Sequence, residues 1–186
     1  MRVFWARGYA STSIGDLTEA MGINRPSLYA AFGCKEELFR EAAKLYNSVE
    51  GVLAWQYLEE GATARDAVEA MLMTHAAGYA DPGHPPGCMI VLASLVGTPE
   101  DESVRDFLAA ARKEGLEGMK ARLDRGVEQG DVPPDTDTMA VAVYLTTVLQ
   151  GLSVRARDGA KRQALEQIVR QTMAMWDGLI AGSRRC

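Results

Sequence analysis

The chain has 186 residues, of which 47% are hydrophobic and 24% charged, and this balance is typical of a folded protein rather than a disordered one. The uncharged stretch 138–154 contains threonine, glutamine and serine, so it favours a buried helix over a membrane span. The N-terminus shows no pattern of a secretory leader. The sequence therefore predicts a cytoplasmic protein without a membrane partner.

The net charge of −5 is unevenly distributed along the chain. Residues 1–45 hold six basic and five acidic side chains, whereas the remainder holds fourteen and twenty. A slightly basic head on an acidic body is compatible with DNA binding by the head. Cys34, Cys88, Cys186, His75 and His84 have no spacing typical of a zinc site or a disulfide framework, so neither a metal nor a cofactor is predicted.

Four helices are predicted in the first fifty residues. Ser13 with Asp16 resembles a capping box, and Asn24 with Pro26 is a typical helix start, while Gly22 ends the helix between them. The predicted bounds are 2–7, 13–21, 25–32 and a helix from about residue 35 that buries Leu38, Ala42, Leu45 and Val49.

The remainder of the chain is also predicted to be helical. The helices are expected near 64–79, 88–96, 100–129, 135–157 and 162–181. A Pro/Gly-rich loop at 81–87 and turns at 97–99 and 130–134 separate them. The sequence therefore predicts an all-α fold, with a helix-turn-helix head at 1–46 and a larger helical body at 47–186.

Two short helices joined by Gly22, Ile23 and Asn24 form a helix-turn-helix pattern. Leu28 and Phe32 lie four residues apart and are expected to face the core of the head. Residues near the N-terminus of the second helix, which enters the major groove in such motifs, then point outward. Spacing alone is equally compatible with solvated polar faces on a helical bundle.

Residues 4–46 resemble the DNA-binding region of the tetracycline-repressor (TetR) family. The features that match, in this order, are Phe4, Gly8, Tyr9, Thr12, Ser13, Ile14, Ala20, Met21, Gly22, Ile23, Leu28, Tyr29, Phe32, Lys35, Glu36, Leu38 and Phe39. The resemblance implies a homodimer that binds double-stranded operator DNA and a small-molecule effector. It also implies DNA contacts by Thr12, Ser13, Arg25, Pro26, Ser27, Tyr29 and Lys35.

Two features depart from the family pattern. The first helix is about ten residues shorter than usual. Cys34 stands where the family usually has Asp, Ser or Asn as the cap of the fourth helix. Loss of such a cap typically costs ~1 kcal/mol, so the start of this helix is expected to be less stable.

The last two helices have more apolar surface than one packing face needs. A two-fold four-helix bundle accounts for this excess and resembles the dimer of the family. Dimerisation also places two recognition helices roughly 34 Å apart, the spacing of successive major grooves. The predicted dimer residues are Val148, Leu152, Ile168, Met173, Trp176 and Leu179.

A ligand pocket is expected in the body, because adaptable methionines and aromatic residues fall on helices that would surround a cavity in the family. The predicted lining residues are Trp55, Met71, His75, Tyr79, Cys88, Met89, Phe107 and Tyr144. Ordinary core packing is the alternative for each of them.

The sequence is thus interpreted as a ligand-responsive dimeric transcriptional regulator, a repressor that binds a palindromic operator and is released by an apolar or aromatic molecule. The alternative is a thiol-based redox-sensing regulator that uses Cys88 or Cys34. A third interpretation is an interaction module that has lost DNA binding. An enzyme is not predicted, since the sequence shows no catalytic triad order, phosphate loop or metal-ligand spacing.

Overall fold

The computed structural model of the chain describes residues 1–95 and 99–182, and every regular element in these ranges is helical. The helices are α1 (Arg2–Arg7), α2 (Ile14–Met21), α3 (Arg25–Phe32), α4 (Lys35–Tyr46), α5 (Val52–Glu60), α6 (Ala64–Tyr79), α7 (Met89–Leu92), α8 (Glu102–Gln129), α9 (Thr138–Arg157), α10 (Arg162–Ala174) and α11 (Trp176–Gly182). The predicted all-α fold is confirmed.

The head, α1 to α3 with the start of α4, packs around a small aromatic core. The Phe4 ring meets Phe39 edge-on at a centroid distance of 5.1 Å, and Tyr9 approaches Phe39 at 5.2 Å. Leu28 of α3 is fully buried in the same core. The short helices are therefore held by tertiary packing rather than by helix propensity alone.

A π-helical turn, Asn47–Gly51, joins α4 to α5. The sequence predicted that Leu45 and Val49 are buried, but they are 51% and 57% exposed. This prediction was wrong because Phe39, Ala43 and Tyr46 form the inward face of α4 and rotate Leu45 toward solvent.

The body is built around α6, which contacts α5, α8, α9 and α10. By length and composition alone α9 could cross a membrane, but Val141, Leu145 and Leu152 are buried among other helices, as in the core helix of a bundle.

Some predicted bounds differ from the observed ones. The helix expected at 88–96 is observed as Met89–Leu92, and Val96 lies outside the described residues. A 3-10 turn, Pro99–Asp101, precedes α8, and the last predicted helix is interrupted at Met175.

Three of the six predicted dimer residues need correction, and the other three stay a prediction. Leu152, Met173 and Trp176 are no more than 3% exposed, because α6, α9, α10 and α11 pack together within one chain. Val148, Ile168 and Leu179 are half-buried. The exposed side of α9 instead carries a stripe without charges, formed by Val143, Thr147, Gly151 and Val154.

Candidate DNA-binding surface and internal cavity

Helix α3 presents one polar face to solvent. Asn24 caps the helix, with its Oδ1 accepting a hydrogen bond from the Ser27 backbone N–H at 2.9 Å. Arg25, Ser27 and Tyr29 are exposed, and so is Pro26 in the first turn. Because Leu28 holds the opposite side in the core, this face is fixed in orientation and free to meet a duplex.

Two further residues predicted to contact DNA, Thr12 and Ser13, stand just before α2. The Ser13 Oγ accepts from the Asp16 N–H at 3.1 Å, and the Ser13 N–H donates to the Asp16 carboxylate at 2.8 Å. These bonds with Ser13, together with the Arg7 guanidinium, lower the pKa of Asp16 to about 2. Thr12 does not fit its predicted DNA contact, since it is 1% exposed and its hydroxyl donates to the Gly8 carbonyl.

Lys35 begins α4 and is half-buried. Its Nζ lies 4.3 Å from the centre of the Tyr9 ring, and burial lowers its pKa below that of an exposed lysine. The Cys34 sulfur accepts the Glu37 N–H at 3.4 Å and thus replaces the usual oxygen cap. Cys34 and Cys88 are free thiols, so the redox interpretation stays a prediction.

A cavity of about 300 Å³ lies inside the body, between the π-helical turn and helices α4 to α9. Four predicted residues line it, namely Trp55, His75, Tyr79 and Cys88. The other lining residues are Tyr46, Asn47, Glu50, Gly51, Ile90, Val91, Ala111, Arg112, Glu114, Gly115, Gly118, Thr146, Leu149 and Gln150.

Four predicted pocket residues do not line this cavity. Met71 and Met89 are fully buried in the core between helices. The Phe107 ring packs instead under the Arg40 guanidinium, at 4.8 Å. Tyr144 is half-buried on α9 and packs against the core outside the cavity.

An aromatic wall forms one side of the cavity. The Trp55 ring lies against α8 where Gly115 and Gly118 have no side chain, and a Cβ at either position would come within 3.3 Å of the ring. His75 meets Trp55 at a centroid distance of 6.5 Å and Tyr79 at 5.3 Å. The two glycines therefore allow the indole to pack close against α8.

His75 offers a hydrogen-bond acceptor to the cavity. Its Nδ1 lies 3.0 Å from the Met71 carbonyl and must carry the proton, which leaves Nε2 unprotonated. Burial lowers the His75 pKa to about 4, so the ring is neutral at physiological pH.

Protonation of His75 is expected to destabilise the fold in acid. Its unfolded-state pKa of about 6.5 exceeds the folded one, so the unfolded chain binds more protons between these values. The contribution of neutral His75 to the free energy of unfolding is fully present above pH 6.5 and is lost as the pH falls toward 4. Urea unfolding should show that His75→Gln loses about 1–2 kcal/mol less than the natural chain between pH 7.5 and pH 5. Equal losses in both proteins would contradict the burial of His75.

Hydrogen-bond donors gather at one end of the cavity. The hydroxyls of Tyr46 and Tyr79 both lie close enough to the Cys88 thiol to interact with it, and Tyr46 also interacts with the Met89 backbone. Burial raises the pKa of both tyrosines, so they stay protonated. The Arg112 guanidinium lies close enough to Cys88 to interact with it electrostatically.

Trp5 of the head contacts the wall of this cavity directly. Its Nε1 donates to the Gly87 carbonyl at 2.9 Å. Its ring stacks on His84 at 4.3 Å and meets the edge of Tyr46 at 4.8 Å. Since Tyr46 lines the cavity and Gly87 precedes a second lining residue, α1 is joined to the cavity through two contacts.

Helix α9 holds the same junction from the other side. Arg157 donates to the Trp5 and Ala6 carbonyls at 2.7 and 2.9 Å, which satisfies the C-terminal end of α1. The Ser153 Oγ accepts the Cys88 N–H at 2.8 Å. The backbone of Gly87 and Cys88 is therefore hydrogen-bonded to both α1 and α9.

Sequence reasoning missed Tyr46 and Arg112 in the cavity and Trp5 beside it. Arg112 gave a readable signal, because it lies on the face of α8 that also carries Leu108, Gly115 and Met119 and is otherwise buried or lacks side chains. A charge at such a position indicates a pocket or a buried ion pair. Trp5 has no comparable signal in the sequence, since its hydrogen-bond partner Gly87 is 82 residues away.

Comparison with known proteins accounts for both parts of the chain. Residues 1–42 match the family described as bacterial regulatory proteins of the tetR family, and residues 64–173 match the tetracyclin repressor-like C-terminal domain. The repressor ComR of Escherichia coli K12 is 29% identical over 97% of this chain and 86% of its own length.

Solved structures show the same likeness. A cysteine mutant of the TetR family regulator CifR, in a complex with 26-bp operator DNA, is 44% identical, with a TM-score of 0.92 over 94% of this chain and 92% of its own. A TetR regulator from Rhodococcus sp. RHA1 is 35% identical, with a TM-score of 0.65 over 100% of this chain and 96% of its own.

Proposed function

Since this chain belongs to the tetracycline-repressor (TetR) family of bacterial regulatory proteins, we propose that it is a homodimeric repressor whose hold on operator DNA is released by a small molecule in the body cavity. Members of the family act as dimers on double-stranded operator DNA and respond to small-molecule effectors. The proposed site of action is therefore the bacterial cytoplasm.

The exposed face of α3 is the observation that carries DNA binding. Arg25, Ser27 and Tyr29 are exposed there, and we expect Arg25 to donate to a guanine edge or a phosphate and the two hydroxyls to bond phosphate oxygens. We expect Ser13 and Lys35, at the starts of α2 and α4, to add contacts with DNA phosphates. The CifR complex with operator DNA supports the same use of the head.

The uncharged stripe on α9 supports dimerisation. Val143, Thr147, Gly151 and Val154 recur at helical spacing on the exposed side, and Met175 between α10 and α11 is 54% exposed. Such a face is expected to pack against the same face of a second copy in a two-fold bundle.

Coupling between ligand and DNA is proposed to run through Tyr46 and Trp5. A ligand that moves Tyr46 or the Cys88 segment changes the contacts of Trp5 and hence the position of α1. The ligand then favours a conformation in which the two α3 helices are wrongly spaced for the operator.

A gel-shift titration tests the repressor function. The full chain is mixed at about 150 mM salt with the duplex upstream of its own gene and with a shuffled duplex of equal composition. We expect the upstream duplex to bind about 1,000-fold more tightly or better, as specific regulators do. Equal affinity for both duplexes would contradict the repressor function. The chain would then be an interaction module that does not recognise an operator.

A further inference from the structure

We propose that the body cavity binds a small aromatic carboxylic acid, with the ring against Trp55 and His75 and the carboxylate on Arg112. This inference rests on the proposed function, because it names the chemical class of the effector.

Arg112 is the cation that this ligand would neutralise. Its Nη1 donates to the Ile90 carbonyl at 2.9 Å, and no carboxylate of the described residues lies within ion-pairing distance of the guanidinium. Arg112 is half-buried, and this burial lowers the pKa of its guanidinium. A guanidinium has five N–H donors and binds a carboxylate in bidentate fashion.

Two acidic residues also line the cavity, but neither is paired with Arg112. The Glu50 carboxylate lies 3.7 Å from the His84 Nε2, on the side of the cavity that faces Trp5. Glu114 is exposed to solvent. The charge of Arg112 therefore stays available to an anion inside the cavity.

The donors around Arg112 suit the two oxygens of a carboxylate. Tyr46 and Tyr79 carry hydroxyls at the Cys88 end, and a ligand oxygen there can accept them in place of the thiol. The unprotonated Nε2 of His75 is an acceptor, which disfavours a second anionic group beside it. The polar groups thus specify a single acid group at a defined end.

The shape of the cavity suits one or two flat rings. Its volume of about 300 Å³ lies at the small end of ligand sites. Trp55 and His75 meet at 81°, and His75 and Tyr79 at 60°, so an aromatic ring in this corner can stack on one side chain and meet another edge-on.

Isothermal titration calorimetry with 2-naphthoate and 2-naphthamide tests the proposal, since these probes have nearly the same shape and differ in charge. We expect the full chain at pH 7.5 to bind naphthoate about tenfold more tightly than naphthamide or better. In Arg112→Gln the ratio should fall to about two or less while naphthamide affinity stays unchanged. Lys113→Gln, which removes the neighbouring exposed charge, should keep the full ratio.

Arg112→Lys is the control for a structural effect of losing the hydrogen bond to Ile90. Lysine keeps both the positive charge and a hydrogen-bond donor. It should retain a clear preference for naphthoate. Equal affinities in the natural chain, an unchanged ratio in Arg112→Gln, or no heat from either probe up to about 5 mM would overturn the proposal. If the operator gel shift still succeeds without ligand, only the effector class is wrong and the repressor function stands.

Discussion

Replacing both Arg25 and Tyr29 with alanine is expected to lower operator affinity by about 100-fold or more, since a dimer loses each contact twice. Both side chains are exposed on α3 and make no contact that the head needs for folding. Fluorescence anisotropy with a labelled operator duplex measures the loss, and circular dichroism should show an unchanged melting temperature.

The matched control replaces one exposed tyrosine and one exposed basic residue elsewhere on the surface. Tyr57 and Lys113 are exposed on α5 and α8, far along the chain from α3. Their double alanine variant should bind the operator like the natural chain. Affinity that falls equally in both double variants would mean that α3 has no special role.

Introducing Glu at Gly151 is expected to convert the dimer into monomers and, with it, to abolish operator binding. A Cβ at this position meets nothing within 4 Å in the protomer, so we expect the variant to fold. In a two-fold bundle each copy would bury an unpaired carboxylate. Leaving a charge buried without a partner costs about 3–5 kcal/mol. Light scattering after size exclusion measures the change.

The control for this variant is Ala121→Glu, which adds the same charge to an exposed position of α8. It should stay dimeric. A dimeric Gly151→Glu protein would show that α9 is not the interface, and the apolar excess of the last helices would then need another explanation.

The head could be predicted closely from sequence because its signals are local. Asn24 and Gly22 fix where α3 begins, and the spacing of Leu28 and Phe32 fixes which side faces inward. The observed bounds of α3 are those predicted. Thr12 was misplaced because sequence spacing cannot show that its hydroxyl turns back to the Gly8 carbonyl.

The body was predicted less well because its arrangement depends on contacts between distant segments. Leu152 and Trp176 look like interface residues in an apolar pattern, yet they fill the core of their own chain. Periodicity marks a buried side chain without saying which helix covers it. The contact of Trp5 with Gly87 likewise appears only when α1 is placed against the loop before α7.

The placement of α3 in the major groove is tested most directly by guanine methylation interference on the operator duplex. N7 of guanine lies in the major groove, where an α3 side chain such as Arg25 would reach it. We predict that methylation interferes in two clusters about 10 bp, or a multiple of it, apart, and that the single variant Arg25→Ala loses these clusters. Binding that tolerates methylation at every guanine would contradict recognition through α3.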